Sequence, residues 1–150
     1  MNPSEVKYIV IHCSASRAGQ DFRAVDIDGW HRRRGFKRIG YHYVVDLDGT
    51  IEEGRKLDED GAHVKGYNHC SVGVCYVGGL DENGEAKDTR TEKQKRALED
   101  LVEVLREVFP GAEVVGHRDL SPDKNGDGRV EPWEWLKVCP CFDVREEYGE

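Results

Sequence analysis

One long amphipathic helix constrains the fold more than any other feature of this sequence. Thr91 and Gln94 form a capping-box pattern that predicts its start, and Pro110-Gly111 predicts its end. Between them, apolar side chains recur at helical spacing and form one face: Ala97, Leu98, Leu101, Val102, Leu105, Val108 and Phe109. A helix with one apolar face has to bury that face against another element of the chain.

Short β-rich apolar runs provide the elements for that packing. Strands are predicted at residues 8–12, 41–45, 71–77 and 113–117, with a short strand around Ile51. Asp48-Gly49 predicts a hairpin turn before Ile51. Two further helices are predicted at residues 25–34 and 142–148. Because strands alternate with helices, the sequence predicts an α/β fold in which a sheet is flanked by helices.

Length and charge limit the classes of protein to consider. The chain has 150 residues and contains no repeat and no long linker, so we predict a single domain over residues 1–150. A net charge of −8 argues against a nucleic-acid partner. The longest apolar run, residues 8–11, is far too short to cross a bilayer, so no membrane partner is predicted. Nothing in the sequence suggests more than a monomer.

The N-terminus and the cysteine count bear on where the chain is made. The first residues lack the basic and apolar regions of a signal peptide, so we expect synthesis in the cytoplasm. Five cysteines are an odd number, and in a reducing compartment they favour free thiols or metal ligands over a disulfide framework. We expect Cys13, Cys70 and Cys75 to be small buried residues.

Two histidines and one cysteine form a candidate metal site. His12 closes the first predicted strand, His117 closes the last, and Cys139 follows. Two imidazoles and a thiolate suit Zn²⁺, and three protein ligands are typical of a catalytic zinc site with an open position for water. Each of these residues, taken alone, is more often a packed core residue than a metal ligand. Cys141, two positions from Cys139, is an alternative thiolate.

Short motifs around these residues are more specific. They occur in the order Ile9-Val10-Ile11-His12-Cys13-Ser14, Gly40-Tyr41-His42-Tyr43, Gly61-Ala62-His63-x-x-Gly66-x-Asn68, Ser71-Val72-Gly73-Val74, Gly116-His117-Arg118-Asp119 and Lys137-Val138-Cys139-Pro140. Together they resemble the type-2 zinc N-acetylmuramoyl-L-alanine amidases, a family that includes short phage lysozyme-amidases and peptidoglycan recognition proteins. The resemblance extends from Val6 to Phe142 and implies a mixed central β-sheet flanked by helices.

The resemblance also implies an activity and a set of site residues. Its family cleaves the amide between the lactyl group of muramic acid and the L-alanine of the stem peptide, so the implied partner is peptidoglycan and the implied place of action is the cell wall. Phage-type release or another export route would take the chain there. The matching positions are His12, His117 and Cys139 for zinc, Tyr41 and Lys137 for catalysis, and His63 and Asn68 for the wall of the substrate groove. The sequence does not decide whether Tyr41 or Lys137 stabilises the oxyanion.

Two other functions are compatible with the same resemblance. Some proteins of this fold recognise peptidoglycan without cutting it, and Cys139 argues against that reading because such binders lack the thiolate. An anhydro-muropeptide recycling amidase is the other alternative, but its family has an aspartate where Cys139 stands. The strand alternation places His42 away from Tyr41 and predicts a hydrogen-bonded core histidine.

Residues 123–134 form an insertion that the phage pattern lacks. They match the twelve-residue EF-hand loop, with Gly128 at the sharp turn. Ser121-Pro122 leaves no room for an entering helix, and an Asp/Asn/Gly-rich surface turn is the alternative. A third hypothesis for the function is a calcium-responsive interaction protein, and it rests on this loop alone. The candidate Ca²⁺ ligands are Asp123, Asn125, Asp127, Arg129, Glu131 and Glu134.

Overall fold

A computed structural model describes residues 2–121, 130 and 138–149 of the chain. Two groups of predicted site residues lie outside this part. One is the catalytic candidate Lys137. The other is the set of candidate calcium ligands, Asp123, Asn125, Asp127, Arg129, Glu131 and Glu134.

A mixed five-stranded sheet forms the centre of the domain. The strands are β1 (Tyr8–Cys13), β2 (Ser16–Arg17), β3 (Tyr43–Val45), β4 (Ile51–Glu53), β5 (Ser71–Tyr76), β6 (Gly79–Leu80) and β7 (Glu113–Gly116). The main sheet has the order β4-β3-β5-β1-β7, and β2 pairs separately with β6. β1 runs parallel to both β5 and β7, β3 runs parallel to β5, and β4 is antiparallel to β3. The predicted mixed sheet and its hairpin are therefore confirmed.

Three α-helices flank the strands: α1 (Ala24–Arg33), α2 (Glu92–Val108) and α3 (Val144–Tyr148). Short 3₁₀ helices cover Pro3–Glu5, Asn68–Cys70 and His117–Leu120. The predicted capping box of α2 is present, because Thr91 Oγ1 accepts from the Gln94 N–H and Gln94 Oε1 accepts from the Thr91 N–H. None of the helices in the described part of the chain has both the length and the apolar character that crossing a bilayer requires.

The two faces of the sheet pack against different elements. On one face, buried side chains of β1 and β5 pack with the apolar face of α2; they include Ile9, Ile11, Val74, Leu98 and Leu105. On the other face, Ile27 of α1 packs with Val44 and Cys75, while Val10 packs with Val64 and Val115. Side chains alternate along a strand, so His12 shares the second face with Val10. The fold thus places His12 on the face opposite α2.

Candidate active site

His12 and His117 meet at the carboxyl edge of the sheet. β1 and β7 are neighbours and run parallel, and Ile11 is paired with Gly116. His12 follows Ile11 within β1, and His117 is the first residue after β7, so the two rings lie side by side with their centroids 4.6 Å apart. His12 is 1% exposed. Parallel pairing of β1 with β7, the first and last of these strands along the chain, therefore brings together two residues that are distant in sequence.

Cys139 completes a group of three metal-binding side chains. The backbone N–H of Cys13 donates to Cys139 Sγ at 3.0 Å, and the N–H of Arg118 donates to the Cys139 carbonyl at 3.0 Å. Donor atoms of His12, His117 and Cys139 all lie within 4.8 Å of one another. A tetrahedral ion with bonds of about 2.0–2.3 Å places its ligand atoms about 3.3–3.8 Å apart, a spacing that falls inside this limit. Two imidazoles and a thiol that accepts a backbone N–H therefore fit a single zinc ion.

The neighbouring thiol of Cys141 has a different environment. Cys141 Sγ donates to the carbonyl of Gly79 at 3.4 Å, and within the described residues the metal-binding group comprises His12, His117 and Cys139. The geometry therefore favours Cys139 over Cys141 as the thiolate. All five cysteines are free thiols, and Cys13, Cys70 and Cys75 are buried as expected.

Tyr41 lies beside the histidine pair. Its ring centroid is 5.0 Å from that of His12 and 5.3 Å from that of His31. Burial raises the pKa of the Tyr41 phenol well above its ordinary value, so the hydroxyl keeps its proton at neutral pH. Tyr41 is therefore a hydrogen-bond donor next to the candidate metal centre.

His42 is a core histidine, as predicted, but the expected alternation with Tyr41 is wrong. His42 is fully buried; its Nε2 donates to the Glu59 carbonyl and its Nδ1 accepts from the Gly73 N–H. β3 begins only at Tyr43, because the carbonyls of Gly40 and Tyr41 accept from loop residues 62 and 55. The rings of Tyr41 and His42 consequently both lie near His63, with centroids 6.5 and 5.9 Å from it.

His63 lies beside the candidate metal centre, in contact with His12. Its Nδ1 is 2.8 Å from His12 Nε2, and its ring lies against Gly73, where an added Cβ would be 2.7 Å from a ring atom. Burial lowers the pKa of His63 to about 3, so the imidazole is neutral at physiological pH. Asn68 Oδ1 accepts from the N–H groups of His63 and Val64 at 2.8 and 2.9 Å. Asn68 thus fixes the backbone of His63, and a substrate contact by either side chain stays a prediction.

The sequence reasoning missed His31. This residue is 7% exposed, its Nδ1 accepts from the Gly40 N–H at 2.8 Å, and its ring packs against Tyr41. Burial lowers its pKa, so the neutral form is favoured. His31 holds the segment that carries Tyr41. The available signal was helical spacing, since His31 lies four residues after the buried Ile27 and shares its face of α1.

A His-His-Cys donor set beside a protonated tyrosine, at the carboxyl edge of an α/β sheet, is an arrangement suited to a metal-dependent hydrolase. Comparison with known proteins identifies the family of hydrolases. The chain matches the N-acetylmuramoyl-L-alanine amidase family over residues 2–132, and it belongs to that family.

Phage proteins are among its similar sequences. The endolysin of Enterobacteria phage K11 is 38% identical over 141 residues, which cover 94% of this chain and 84% of the phage protein. The endolysin of Escherichia phage T7 is 36% identical over 137 residues, which cover 91% of this chain and 82% of that protein. The chain therefore spans most of the length of these relatives.

Solved structures agree with the fold. The N-acetylmuramoyl-L-alanine amidase LysC from Clostridium intestinale URNW has a TM-score of 0.73 at 25% identity, covering 97% of this chain and 83% of that one. Bumblebee PGRP-SA has a TM-score of 0.70 at 22% identity, covering 95% of this chain and 80% of that one, and shows the shared fold. The predicted family and architecture are thus confirmed. The chain is an N-acetylmuramoyl-L-alanine amidase, which hydrolyses the amide between N-acetylmuramic acid and L-alanine in peptidoglycan.

Proposed function

We propose that this amidase depends on zinc and that His12, His117 and Cys139 hold the ion. The observation that supports the proposal is the convergence of their donor atoms within 4.8 Å at the edge of the sheet. A zinc ion there would supply Lewis acidity toward the scissile carbonyl and would lower the pKa of water. The presence of all three donor residues favours an enzyme over a non-catalytic recognition module. The thiol of Cys139 distinguishes this protein from the recycling amidases, whose family has an aspartate at that position.

The side chains around the metal centre would act on the substrate. Tyr41 keeps its phenolic proton and can donate it as a hydrogen bond to the oxyanion, or transfer it to the leaving amine. Lys137 precedes Cys139 by two residues, so its ammonium is the second candidate for stabilising the oxyanion. His63 and Asn68 belong to the segment that we assign to the groove wall, which would lie beside the sugar or the peptide.

We further propose that the protein acts as a monomer on the bacterial cell wall. Its acidic net charge of −8 gives no reason to expect a nucleic-acid partner. The similarity to phage endolysins favours lysis of the wall over recycling of its fragments. Release from the cytoplasm by a phage-type route would bring the enzyme to its substrate.

Digestion of purified peptidoglycan, followed by mass spectrometry of the products, tests the zinc site. Wild-type protein loaded with zinc is expected to release stem peptides with a free L-alanine amine. Cys139→Ala should release none, while the matched control Cys141→Ala should retain activity because its thiol contacts the Gly79 carbonyl instead. Zinc content is measured for all three proteins. Full cleavage by Cys139→Ala would overturn the assignment of the thiolate.

We also propose that residues 123–134 bind Ca²⁺, on the basis of their match to the EF-hand loop. Bound calcium would order the segment that leads to Lys137 and Cys139. Calcium should raise the melting temperature of the wild type and of the control Glu85→Gln, whose side chain is exposed outside the loop. Glu134→Gln should lose the shift, since the closing carboxylate is removed. A wild-type melting temperature and turnover that do not respond to calcium contradict the proposal.

A further inference from the structure

We propose that a chain of hydrogen bonds from the Tyr67 carbonyl through Ser71 and His63 fixes the tautomer of His12, so that His12 presents Nδ1 to the metal. This inference rests on the proposed zinc site and adds a positioning role for His63. It follows when each proton in this series of hydrogen bonds is assigned in turn.

The first proton belongs to Ser71. Its Oγ lies 2.7 Å from the carbonyl oxygen of Tyr67. A carbonyl oxygen only accepts, so the single hydroxyl proton of Ser71 is donated to Tyr67. Ser71 is fully buried, and its Oγ then offers lone pairs to its other neighbour.

That neighbour is Nε2 of His63, 3.2 Å from Ser71 Oγ. Because the hydroxyl proton is already used, His63 Nε2 must be the donor in this contact. The ring is packed against Gly73 and between two other imidazoles, an environment that favours its neutral form. A neutral imidazole carries one N–H, so Nδ1 of His63 is an acceptor.

The acceptor faces His12. His63 Nδ1 lies 2.8 Å from His12 Nε2, and the two rings meet edge to face with centroids 4.9 Å apart. His12 Nε2 therefore carries the proton and donates it. In the neutral ring the lone pair is then on Nδ1, the nitrogen that can bind a metal ion. Metal-binding histidines commonly donate their other N–H to a fixed acceptor, which sets the orientation of the ring; here the acceptor is an imidazole nitrogen.

Two backbone features hold His63 at this position. Gly73 and Gly61 leave room for the ring, since an added Cβ would come within 2.7 Å and 2.5 Å of it, respectively. Asn68 Oδ1 accepts from the His63 N–H at 2.8 Å and so fixes the backbone that carries the ring. His63 is consequently a positioning residue that acts on the metal through His12.

The tautomers of His12 and His63 can be measured directly in the metal-free protein. Long-range ¹H–¹⁵N correlation spectra of uniformly ¹⁵N-labelled protein distinguish the two neutral tautomers of each histidine. We expect Nε2–H for both His63 and His12. A His12 ring protonated at Nδ1 overturns the proposal. Because no metal is present, this result does not depend on whether zinc binds.

Zinc affinity, measured by competition with a chromogenic chelator, provides the second readout. His63→Ala removes the acceptor and is expected to weaken zinc binding about 10–100-fold. His63→Asn keeps an oxygen near the position of Nδ1 and should recover most of that loss. His69→Ala is the matched control, because His69 is exposed, and it should bind zinc as the wild type does.

Unchanged zinc affinity in a folded His63→Ala protein would contradict the positioning role. If that variant does not fold, Ser71→Ala tests the same series of hydrogen bonds and removes only one oxygen atom. It removes the acceptor for His63 Nε2–H, so the His63 and His12 spectra should show a mixture of tautomers; a single unchanged tautomer overturns the proposal. Failure of the wild type to bind zinc would instead refute the proposed zinc site and leave the tautomer result standing.

Discussion

The guanidinium of Arg90 lies over the ring of Phe142, with its central carbon 3.4 Å from the ring centroid. The Arg90 side chain is 2% exposed, and it pairs with Asp88 at 2.9 Å and with Glu147 of α3 at 2.6 Å. These contacts join the segment before α2 to the segment that follows Cys139. The buried cation of Arg90 therefore helps to hold the C-terminal part of the chain, which supplies one candidate metal ligand, to the core.

Removal of this cation is expected to destabilise the fold. Arg90→Ala leaves the carboxylates of Asp88 and Glu147 without their partner and uncovers Phe142, so we expect a loss of about 2–4 kcal/mol in the free energy of unfolding. Urea denaturation measures it. The control Arg96→Ala changes an exposed arginine of α2 and should stay within about 0.5 kcal/mol of the wild type. An Arg90→Ala loss as small as that of the control would contradict this role.

The stability of the protein should depend on pH through Asp46. Asp46 is fully buried, pairs with Arg23 at 3.0 Å, and has one oxygen without a hydrogen-bond partner among the described residues. Burial, assisted by the nearby negative charge of Glu52, raises the pKa of Asp46 to about 7. The folded state therefore binds this proton more tightly than the unfolded state, in which the pKa is about 3.9. The stabilisation is complete below about pH 4 and is lost as the pH rises toward 7.

Asp46→Asn removes this titration. The difference in the free energy of unfolding between the variant and the wild type should shift in favour of the variant between pH 5 and pH 7, by at most about 1.4 kcal/mol per pH unit, and then level off. Asp48→Asn is the control, because hydrogen bonds from Thr50 lower the pKa of Asp48 to about 2 and keep it ionised throughout this range. Urea denaturation at a series of pH values measures both, and parallel curves for Asp46→Asn and the wild type would refute the prediction.

Tyr41→Phe should separate turnover from metal binding. The variant loses the hydroxyl but keeps the ring that packs on His12 and His31, so we expect kcat to fall about 10²–10³-fold while zinc affinity stays the same. Tyr43→Phe is the matched control, since Tyr43 packs with the α2 face of the sheet. Rates on a soluble muropeptide and zinc content are the measurements. Equal rates for the two variants would remove Tyr41 from the catalytic group.

Gly73→Ala should disturb the proposed metal centre from within the sheet. The new Cβ would lie 2.7 Å from the His63 ring, and the backbone of β5 is held by strands on both sides, so the ring has to move. We expect a loss of about 1–3 kcal/mol in stability together with weaker zinc binding. Gly111→Ala provides the control because nothing lies within 4 Å of its added Cβ. Thermal unfolding and zinc competition measure the two effects; wild-type zinc affinity in Gly73→Ala would show that His63 tolerates displacement.

The sequence predicted those parts of the structure that depend on neighbouring residues or on a general rule of sheets. The apolar period and capping box of α2 are local, as is the Asp48-Gly49 turn, and each was confirmed. His12 and His117 were matched to the metal site of the amidase family, and their side-by-side position follows from the parallel pairing of β1 with β7.

Other parts depend on contacts that no local pattern encodes. The bond between His12 and His63 joins residues 51 positions apart and needs the ring space over Gly73, so it could not be read from either motif alone. The alternation argument for Tyr41 and His42 failed for a similar reason, because hydrogen bonds to loop residues 55 and 62 replace strand pairing there.

The bond from the Cys13 N–H to Cys139 Sγ spans 126 positions, which has a consequence for biosynthesis. While the ribosome is still translating the chain, the strand that carries His12 is already made but has no thiolate partner. The proposed metal centre can therefore assemble only after the segment that carries Cys139 has emerged. A zinc ion held there would also close a very long loop of the unfolded chain, a constraint worth about 5 kcal/mol in the chain-entropy account of cross-links. Incomplete nascent chains would accordingly lack the thiolate of the proposed metal centre.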